Sequence, residues 1–216
     1  MNSYKNGVRV FEIDVHTTDD GSVVLYHDYD SWIEATGKAK GQLSYEKFIK
    51  SKLFDKYKTI DVDSLCRLMH DYSDIYVIVD YGGPLNKYES MMWYSSIAYK
   101  GAKYGVLDRF VIEVVDAQTL KSAKNVYEWN SYVFTYYNEF FEKEEDAIAF
   151  CLQNNIKAVN LTYHTFDVQG CENWIMKGLK VLVFTVNDEE KAERCFNSGC
   201  SAVYTDNTSL NNIKED

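Results

Sequence analysis

Two acidic residues lie two positions apart near the start of the sequence, in the segment VRVFEIDV (residues 8–15). The β-branched and aromatic residues of this segment predict a β-strand. Because side chains alternate along a strand, we expect Glu12 and Asp14 on one side, roughly 6.6 Å apart at about 3.3 Å per residue. Two carboxylates on one face repel each other unless a cation lies between them. Oxygen ligands of this kind suit Mg²⁺ or Ca²⁺.

A histidine follows this acidic segment. An Asp20-Gly21 turn is predicted to fold a second apolar run, residues 22–26, back beside the first and to bring His27 near its end. A histidine beside a metal site is a candidate for acid–base catalysis. The alternatives are a solvated strand face for the carboxylates and an ordinary loop position for His27. A strand in a parallel barrel is exposed only near its end, which favours the metal site.

The composition is typical of one globular domain. The 216 residues are 46% hydrophobic and can bury one large core, so we expect a single domain over residues 1–216. No apolar run reaches the length of about eighteen residues that predicts a transmembrane helix. The start of the chain does not resemble a signal peptide. We therefore expect no stable membrane anchor.

Charge and cysteine content narrow the partners and the compartment. A formal net charge of −10 disfavours duplex nucleic acid and anionic membranes as partners, and an anionic substrate would need a cation to offset it. The five cysteines are odd in number and form no C-x-x-C pair. We therefore expect reduced thiols, no zinc site and a cytoplasmic location.

Short apolar runs recur along the chain with helical segments between them. After the first segment they are residues 75–80, 110–115, 132–136, 158–162, 180–186 and 202–205. Their starts are roughly 22 to 35 residues apart, the length of a strand plus a crossover helix. This alternation predicts a parallel α/β sheet. Within the last helical segment, Asn187 is a candidate N-cap with Glu190 three residues later.

Two closures of such a sheet are possible, an open doubly wound sheet and a (β/α)8 barrel of the TIM type. In a barrel, functional side chains gather at the C-terminal ends of the strands. The polar residues at those ends are Glu12, Asp14, Asp80, Thr162, Asn187 and Asp206. No G-x-G-x-x-G or P-loop pattern follows any strand. The TIM-type barrel therefore explains where the polar residues fall.

Seven strands are counted rather than eight, and a complete barrel usually has about 250 residues. Residues 2–7 look like the last turn of a helix that ends at Gly7. We therefore expect this sequence to lack the first strand and most of the first helix. The strands of Glu12 and Tyr204 would then present unpaired edges, which predicts either a homodimer across the gap or frayed edges.

Four motifs together resemble the glycerophosphodiester phosphodiesterases, a family of metal-dependent TIM barrels. Residues 7–21 (GVRVFEIDVHTTDDG) resemble the block G-x-x-x-x-E-x-D-V-x-x-T-x-D-G of that family. The pair at residues 27–28 resembles its H-D motif. Residues 183–187 (VFTVN) are similar to its W-T-V-N motif, and residues 199–206 to its G-x-x-x-x-x-T-D ending.

The resemblance implies a role for each matched residue. Glu12 and Asp14 would be metal ligands, and Asp80 would supply the third carboxylate, where the family often has Glu. His27 would protonate the departing alcohol oxygen. Phe184 stands in place of a Trp that forms part of the substrate wall, so it is the expected substrate-binding residue. The family cleaves glycerophosphodiesters to an alcohol and glycerol 3-phosphate, with one divalent cation, Mg²⁺ or Ca²⁺, and a role in lipid metabolism.

Two departures affect these expectations. The family has a first catalytic histidine in an H-R-G motif at the end of the first strand, and this sequence contains no such motif. A Lys common two residues after the third carboxylate is Gly82 here, which implies a lost phosphate contact. We therefore predict that this chain alone is weakly active or inactive as a diesterase.

Four further polar residues have open assignments. His16 either lines the site or is a rim histidine bonded to backbone, and the second interpretation is favoured. His70 is expected to be structural or exposed. His164 caps the next helix or substitutes for the missing histidine. Glu113 either supports the metal site from behind or is a salt-bridged acid in the core.

Three functional hypotheses follow. The first is a metal-dependent phosphodiesterase acting on a small phosphodiester. The second is a non-catalytic barrel that binds a metal, a phosphodiester or a protein partner. The third is a related lipid phosphodiesterase, which an apolar or basic membrane-facing loop would favour. The sequence alone does not indicate such a loop.

Overall fold

The structure, a computed structural model, describes residues 2–37, 43–80 and 87–206. Within these residues the strands are β1 (Val10–Ile13), β2 (Val15–Thr17), β3 (Val23–Leu25), β4 (Lys52–Leu53), β5 (Tyr57–Lys58), β6 (Tyr76–Val79), β7 (Phe110–Val114), β8 (Ser131–Thr135), β9 (Ala158–Thr162), β10 (Lys180–Phe184) and β11 (Ala202–Val203).

The helices of the same residues are α1 (Asn2–Lys5), α2 (Tyr29–Thr36), α3 (Tyr45–Ile49), α4 (Val62–Asp71), α5 (Lys87–Tyr104), α6 (Ala117–Val126), α7 (Glu144–Gln153), α8 (Tyr163–Gln169), α9 (Glu172–Met176) and α10 (Glu189–Asn197). A single 3₁₀ turn covers Leu107–Arg109. The predicted helix end before Gly7 is confirmed, because α1 is followed by a glycine at φ 98°.

The seven predicted strands form one sheet in the order β1-β6-β7-β8-β9-β10-β11. The pairs β1 with β6, β6 with β7, β8 with β9, β9 with β10 and β10 with β11 are parallel. Helices connect the strands, which confirms the α/β class. Within the described residues β1 and β11 are the two ends of this order, and each pairs with one strand only.

Contacts along the chain define two compact units. The first unit comprises residues 10–112 and 117–130, and the second comprises residues 1–9, 113–116 and 131–216. The single domain over residues 1–216 stays a prediction.

The first unit carries a long insertion between β1 and α4. Its hairpin β2–β3 and hairpin β4–β5 are antiparallel and separate from the main sheet. The insertion has its own apolar core, formed by Val24, Trp32, Leu43 and Phe48. A bridge from Val24 to Asp61 ties the insertion to the start of α4.

The predicted strand over residues 8–15 is wrong in its extent. The structure ends β1 at Ile13 and starts the hairpin strand β2 at Val15. The backbone amide of Asp80 donates to the carbonyl of Ile13, at 2.9 Å, which continues the pairing of β1 with β6 past the strand end. Asp14 therefore lies where the chain leaves the main sheet, a change of partner that the alternating pattern does not reveal.

The second unit packs its strands against α7 to α10. On the outer side of β8, the ring of Phe134 contacts the rings of Phe141, Phe150 and Trp174, with centroids 5.5 to 6.5 Å apart. Asn160 of β9 lies opposite Thr135 of β8 and Leu182 of β10. Because side chains alternate along a strand, the apolar side chains of these strands pack against the helices, and the polar side chains lie on the opposite face of the sheet.

The predicted N-cap at Asn187 is wrong by one residue. Asp188 caps α10, and its side chain accepts a hydrogen bond from the amide of Lys191 at 3.0 Å. Both residues are good N-caps, so sequence pattern alone does not separate them. The side chain of Asn187 instead forms hydrogen bonds with Thr205 and Asp206.

Candidate active site

The three predicted metal ligands converge in the first unit. Glu12 lies on β1, Asp14 follows it and Asp80 follows β6. Because β1 and β6 are parallel neighbours, their C-terminal ends lie at the same edge of the sheet. One carboxylate oxygen from each residue lies within 4.8 Å of the others. Among the described residues, no second group of three or more His, Cys, Asp or Glu meets this distance.

The electrostatics of this cluster are those of crowded acids. The pKa of Asp14 is raised to about 6, mainly by burial and also by the charge of Asp80, while the charge of His27 acts in the opposite direction. Asp14 and Asp80 are half-buried, and Glu12 is exposed. Three hard oxygen donors at this spacing fit a divalent cation such as Mg²⁺ or Ca²⁺. The roles of Glu12, Asp14 and Asp80 as ligands stay predictions.

His27 lies just beyond β3, where the hairpin returns the chain to the carboxylates. Its Nδ1 donates a hydrogen bond to Oδ2 of Asp28. This bond is the main cause of a raised pKa for His27, and the charges of Asp14 and Asp80 act in the same direction. The hydrogen bond at Nδ1 fixes the orientation of the ring, so that Nε2 is the nitrogen that can act as the acid. The catalytic role of His27 stays a prediction.

Asp28 also begins the helix that follows. It is the N-cap of α2, with Oδ1 accepting from the amide of Ser31 at 2.7 Å and Oδ2 from its hydroxyl at 2.8 Å. The hydrogen bond from the Ser31 amide is the largest cause of the low pKa of Asp28, about 2, followed by the bond from His27. One carboxylate therefore caps a helix and orients the candidate acid.

His16 supports the backbone of His27. Its Nε2 donates to the carbonyl oxygen of His27, at 2.5 Å, which confirms the expectation of a rim histidine bonded to backbone. Its ring lies between Tyr26 and Trp93, with centroids 4.7 and 5.6 Å away. The indole of Trp93 also donates to the hydroxyl of Thr17, at 2.7 Å. Sequence reasoning missed Trp93, because it comes from α5, more than seventy residues from the hairpin that it holds.

Phe184 belongs to the second unit, whereas the carboxylates and His27 belong to the first. It ends β10, and its ring contacts Tyr137 and Tyr204 edge-on, with centroids 6.4 and 6.2 Å apart. The rings of Tyr137 and Tyr204 therefore flank Phe184, the residue predicted to bind substrate. Its substrate-binding role stays a prediction.

The two C-terminal motifs meet each other in space. The side-chain oxygen of Asn187 accepts from the Thr205 hydroxyl at 3.0 Å and from the Asp206 amide at 2.8 Å. Its Nδ2 donates to Oδ2 of Asp206 at 2.9 Å. Asn187 therefore joins the segments that follow β10 and β11, which explains an amide side chain at this position.

A buried polar group occupies the layer between β7, β8 and β9 of the second unit. Nδ2 of Asn160 donates to Oε2 of Glu113 and to Oγ1 of Thr135, both at 3.1 Å. The three side chains are at most 5% exposed. Asn160 thus satisfies part of the hydrogen-bonding capacity of a buried acid. The two interpretations of Glu113 both stay predictions.

The remaining histidines have ordinary surroundings. Nδ1 of His70 contacts the carbonyl of Tyr104 at 3.0 Å on an exposed part of α4, as expected. The expectation that His164 caps the next helix is wrong, because Thr162 is the N-cap of α8 and His164 lies exposed within that helix. A substitute catalytic role for His164 stays a prediction. Gly82, which replaces the family's Lys, lies outside the described residues. A groove of about 930 Å³ in the first unit is lined by residues of α4 and α5 and of the turn between β2 and β3, among others, and includes none of the predicted site residues.

The sequence matches one family model over nearly its whole length. Residues 1–210 match the model of the glycerophosphoryl diester phosphodiesterase family. This chain belongs to that family. It is accordingly a phosphoric diester hydrolase by family, with a cluster of acidic residues able to hold a divalent cation. No curated protein matches the sequence.

Solved structures of this family have the same fold at low sequence identity. A protein from Galdieria sulphuraria, assigned to the glycerophosphodiester phosphodiesterases, is 15% identical, with a TM-score of 0.79 over 97% of this chain and 86% of that one. A glycerophosphodiester phosphodiesterase from Parabacteroides distasonis is 15% identical, with a TM-score of 0.76 over 97% and 84%. These similarities confirm the predicted TIM-type α/β architecture.

A third structure is that of an Oleispira antarctica phosphodiesterase in complex with the product sn-glycerol-3-phosphate. It is 18% identical to this chain, with a TM-score of 0.77 over 95% of this chain and 85% of that one.

Within the described residues, no helix is both long and apolar enough to cross a bilayer.

Proposed function

We propose that this chain hydrolyses glycerophosphodiesters to an alcohol and glycerol 3-phosphate with one divalent cation, Mg²⁺ or Ca²⁺, held by Glu12, Asp14 and Asp80. The observation that carries this proposal is the convergence of the three carboxylates to within 4.8 Å at the ends of two neighbouring strands. The family match supports the reaction class. The product bound to the Oleispira antarctica relative supports glycerol 3-phosphate as the product class.

The chemistry divides between the cation and the side chains. When bound, a divalent cation stabilises negative charge on the phosphoryl oxygens. As water adds to phosphorus and the P–O bond to the alcohol breaks, the imidazolium of His27 would donate its Nε2 proton to the departing alcohol oxygen. Asp28 holds the ring through Nδ1 during this transfer, and His16 holds the backbone carbonyl of the same residue. Phe184 provides an apolar wall for the glycerol or alcohol moiety.

Turnover by these 216 residues is expected to be slow. The chain has four histidines and no H-R-G motif, so the second acid–base group of the family is not supplied by a matching residue. General acid–base catalysis typically contributes about 10²- to 10⁴-fold, and loss of one partner is expected to reduce kcat by a factor in that range. The same observation favours a second candidate function, a non-catalytic barrel that binds a metal or a phosphodiester.

A hydrolysis assay distinguishes these candidates. Purified protein is incubated with glycerophosphocholine and either Mg²⁺, Ca²⁺ or a chelator, and release of glycerol 3-phosphate is measured. We expect slow, cation-dependent release that is lost in His27→Ala and retained in His70→Ala. Fast turnover contradicts the impairment, and release that survives the chelator contradicts the metal role. Binding of substrate without any release supports the non-catalytic barrel, and release from intact phospholipid supports a lipid phosphodiesterase.

Partners and location are proposals of the same kind. We propose a small phosphodiester as the substrate and no nucleic acid as a partner, which is consistent with a net charge of −10. A homodimer would pair the exposed edges of β1 and β11, the two ends of the strand order. A cytoplasmic location is consistent with five free cysteines, all of them buried. A role in lipid metabolism is proposed from the family match.

A further inference from the structure

The hairpin β4–β5 and the end of α3 form a basic projection in an otherwise acidic protein. We call residues 47–58 the basic hairpin. Five lysines and one aspartate give it a net charge of +4, whereas the whole chain carries −10. All five lysines are exposed; they are Lys47, Lys50, Lys52, Lys56 and Lys58. The basic hairpin therefore carries a local positive charge although the net charge of the chain is negative.

The tip of the basic hairpin is aromatic and exposed. Phe54 is 68% exposed and Tyr57 is 52% exposed. Leu53, between them and the core of the insertion, packs inward on that core. The hairpin therefore has one side that is used for folding and a tip whose two rings are not.

The backbone of the turn gives no structural reason for an aromatic residue there. Phe54 and Asp55 have φ angles of 51° and 55°, and the amide of Lys56 closes the turn on the carbonyl of Leu53 at 3.1 Å. A turn with two left-handed residues favours Asn-Gly or Asp-Gly. Phe54 occupies this strained position without burying its ring, so the fold does not require its apolar surface.

The lysines keep their charge accessible. Lys50 pairs with Glu46, at 2.5 Å, but its side chain remains 70% exposed. The ammonium group of Lys56 lies 4.9 Å from the centre of the Tyr57 ring, at the same surface. Basic and aromatic groups are therefore interleaved at the tip rather than separated.

We propose that the basic hairpin binds reversibly to a membrane surface that contains anionic lipids. Lysines near such a surface are attracted by its negative potential. Exposed aromatic rings enter the boundary between headgroups and acyl chains, and the two contributions together give an affinity that neither gives alone. The convex tip of a two-stranded hairpin suits a flat surface better than a nucleic-acid strand, which binds in a basic groove.

Helix α2 connects the basic hairpin to the candidate catalytic residue His27. The amide of Phe54 donates to the carbonyl of Ala35, at 2.5 Å, in the last turn of α2. Asp28, which orients His27, caps the other end of this helix. Seven residues of helix span about 10 Å. If the proposed function holds, docking would bring the site to phosphodiesters at a membrane surface; the binding itself does not depend on that function.

The expectation drawn from net charge is thereby revised for one surface. A total of −10 disfavours contact with anionic membranes only where the local charge has the same sign. The basic hairpin presents the opposite sign within the range of a Debye length, about 8 to 10 Å. Reversible surface binding of this kind differs from a stable anchor.

Vesicle co-sedimentation tests the proposal with the full chain. The two vesicle types are phosphatidylcholine alone and phosphatidylcholine with about one third phosphatidylserine. We expect binding to the anionic vesicles only, weakening as salt is raised. The variant Lys52→Glu/Lys56→Glu/Lys58→Glu is expected to bind at least about 100-fold more weakly, since each of the three lysines contributes about fivefold. The variant Phe54→Ser is expected to lose binding while retaining the charge.

Matched variants separate the hairpin from total charge and total exposed apolar surface. The charge control is Lys121→Glu/Lys157→Glu/Lys177→Glu, three exposed lysines far from residues 47–58 in sequence. The apolar control is Met176→Ser, a side chain that is 74% exposed. Both controls are expected to retain more of the vesicle binding than the corresponding hairpin variants. Circular dichroism verifies that each variant is folded.

A second readout reports where the tip lies. Phe54→Trp is expected to show a blue shift of tryptophan emission with anionic vesicles, beyond any shift of the unmodified protein. Equal binding of the hairpin variant and its charge control overturns the proposal, and so does an unshifted emission in bound protein. Binding to single-stranded RNA at the same salt, without binding to vesicles, would assign the hairpin to nucleic acid instead. Absence of vesicle binding by the unmodified protein also overturns it.

Discussion

Asp28 accepts a hydrogen bond from Nδ1 of His27 with one oxygen and caps α2 with the other. The helix start and the candidate acid are therefore positioned by a single carboxylate. Because the two functions use different properties of the side chain, its shape and its charge, they are separable by substitution.

The first prediction separates the cap from the charge. Asp28→Ala removes both, and it should lower the free energy of unfolding by about 1 kcal/mol. Asp28→Asn retains a good N-cap and should have a much smaller effect on stability. Both substitutions should lower the pKa of His27, because each removes the negative partner of its Nδ1. Urea denaturation measures the first quantity, and an NMR titration of the imidazole measures the second. Equal stability losses in the two variants would contradict a capping role.

The second prediction concerns pH. The pKa of His27 is raised above 6.5, so its pairing stabilises the folded protein below that pH and is lost as pH rises through the folded-state pKa. The pKa of Asp28 is lowered from 3.8 to about 2, so its contribution is present above pH 3.8 and is lost as pH falls through about 2. The stability difference between the unmodified protein and Asp28→Ala should thus be largest between about pH 4 and pH 6.5. Unfolding curves across pH 2 to 9 would disprove this if the difference were constant.

The third prediction concerns a buried arginine that closes α4. Arg109 is 9% exposed and donates to the carbonyls of Met69 at 2.7 Å, Tyr72 at 3.1 Å and Ile75 at 3.0 Å. Arg109→Met leaves these buried acceptors without this donor and should cost about 3 kcal/mol. The control Arg67→Met removes an exposed arginine and should cost only a small fraction of that. Similar losses in the two variants would show that burial of the carbonyls is not the cause.

The fourth prediction concerns the edges of the sheet. Val10 on β1 is 53% exposed at one end of the strand order, so pairing of edges between two chains should give a dimer in light scattering. Val10→Lys should shift the population toward monomer, because a charge on an edge strand opposes further pairing. Val168→Lys, at a helix position that is 66% exposed, should not. A stable monomer that resists proteases would contradict the dimer.

The strands and the acidic cluster were accessible from sequence for a simple reason. Parallel strands are apolar runs of a fixed length, and their polar ends lie at one edge of the sheet. Glu12 and Asp80, far apart in sequence, therefore fall together once the strand order is known. The identity of the capping residue was less accessible, because Asn187 and Asp188 have similar N-cap preferences. Only the approach of β11 shows that Asn187 is needed by Thr205 and Asp206.

Other features depend on tertiary placement, which the local sequence pattern does not give. Trp93 reads as an ordinary helix residue until α5 brings it against His16 and Thr17. The net charge of the chain has the opposite sign to that of the basic hairpin and does not indicate it. Its aromatic tip is apparent only from the exposure of Phe54 and Tyr57. Residue spacing encodes local periodicity, whereas exposure is a property of the folded chain.

The most direct test is a calorimetric titration of the purified protein with Ca²⁺ and with Mg²⁺, in parallel with Asp14→Asn. We expect one ion per chain for the unmodified protein and loss of that binding in Asp14→Asn, while the exposed control Glu128→Gln binds as before. Circular dichroism establishes that the variant is folded. Absence of binding by the unmodified protein, or binding that persists in Asp14→Asn, would contradict a cation held by Glu12, Asp14 and Asp80.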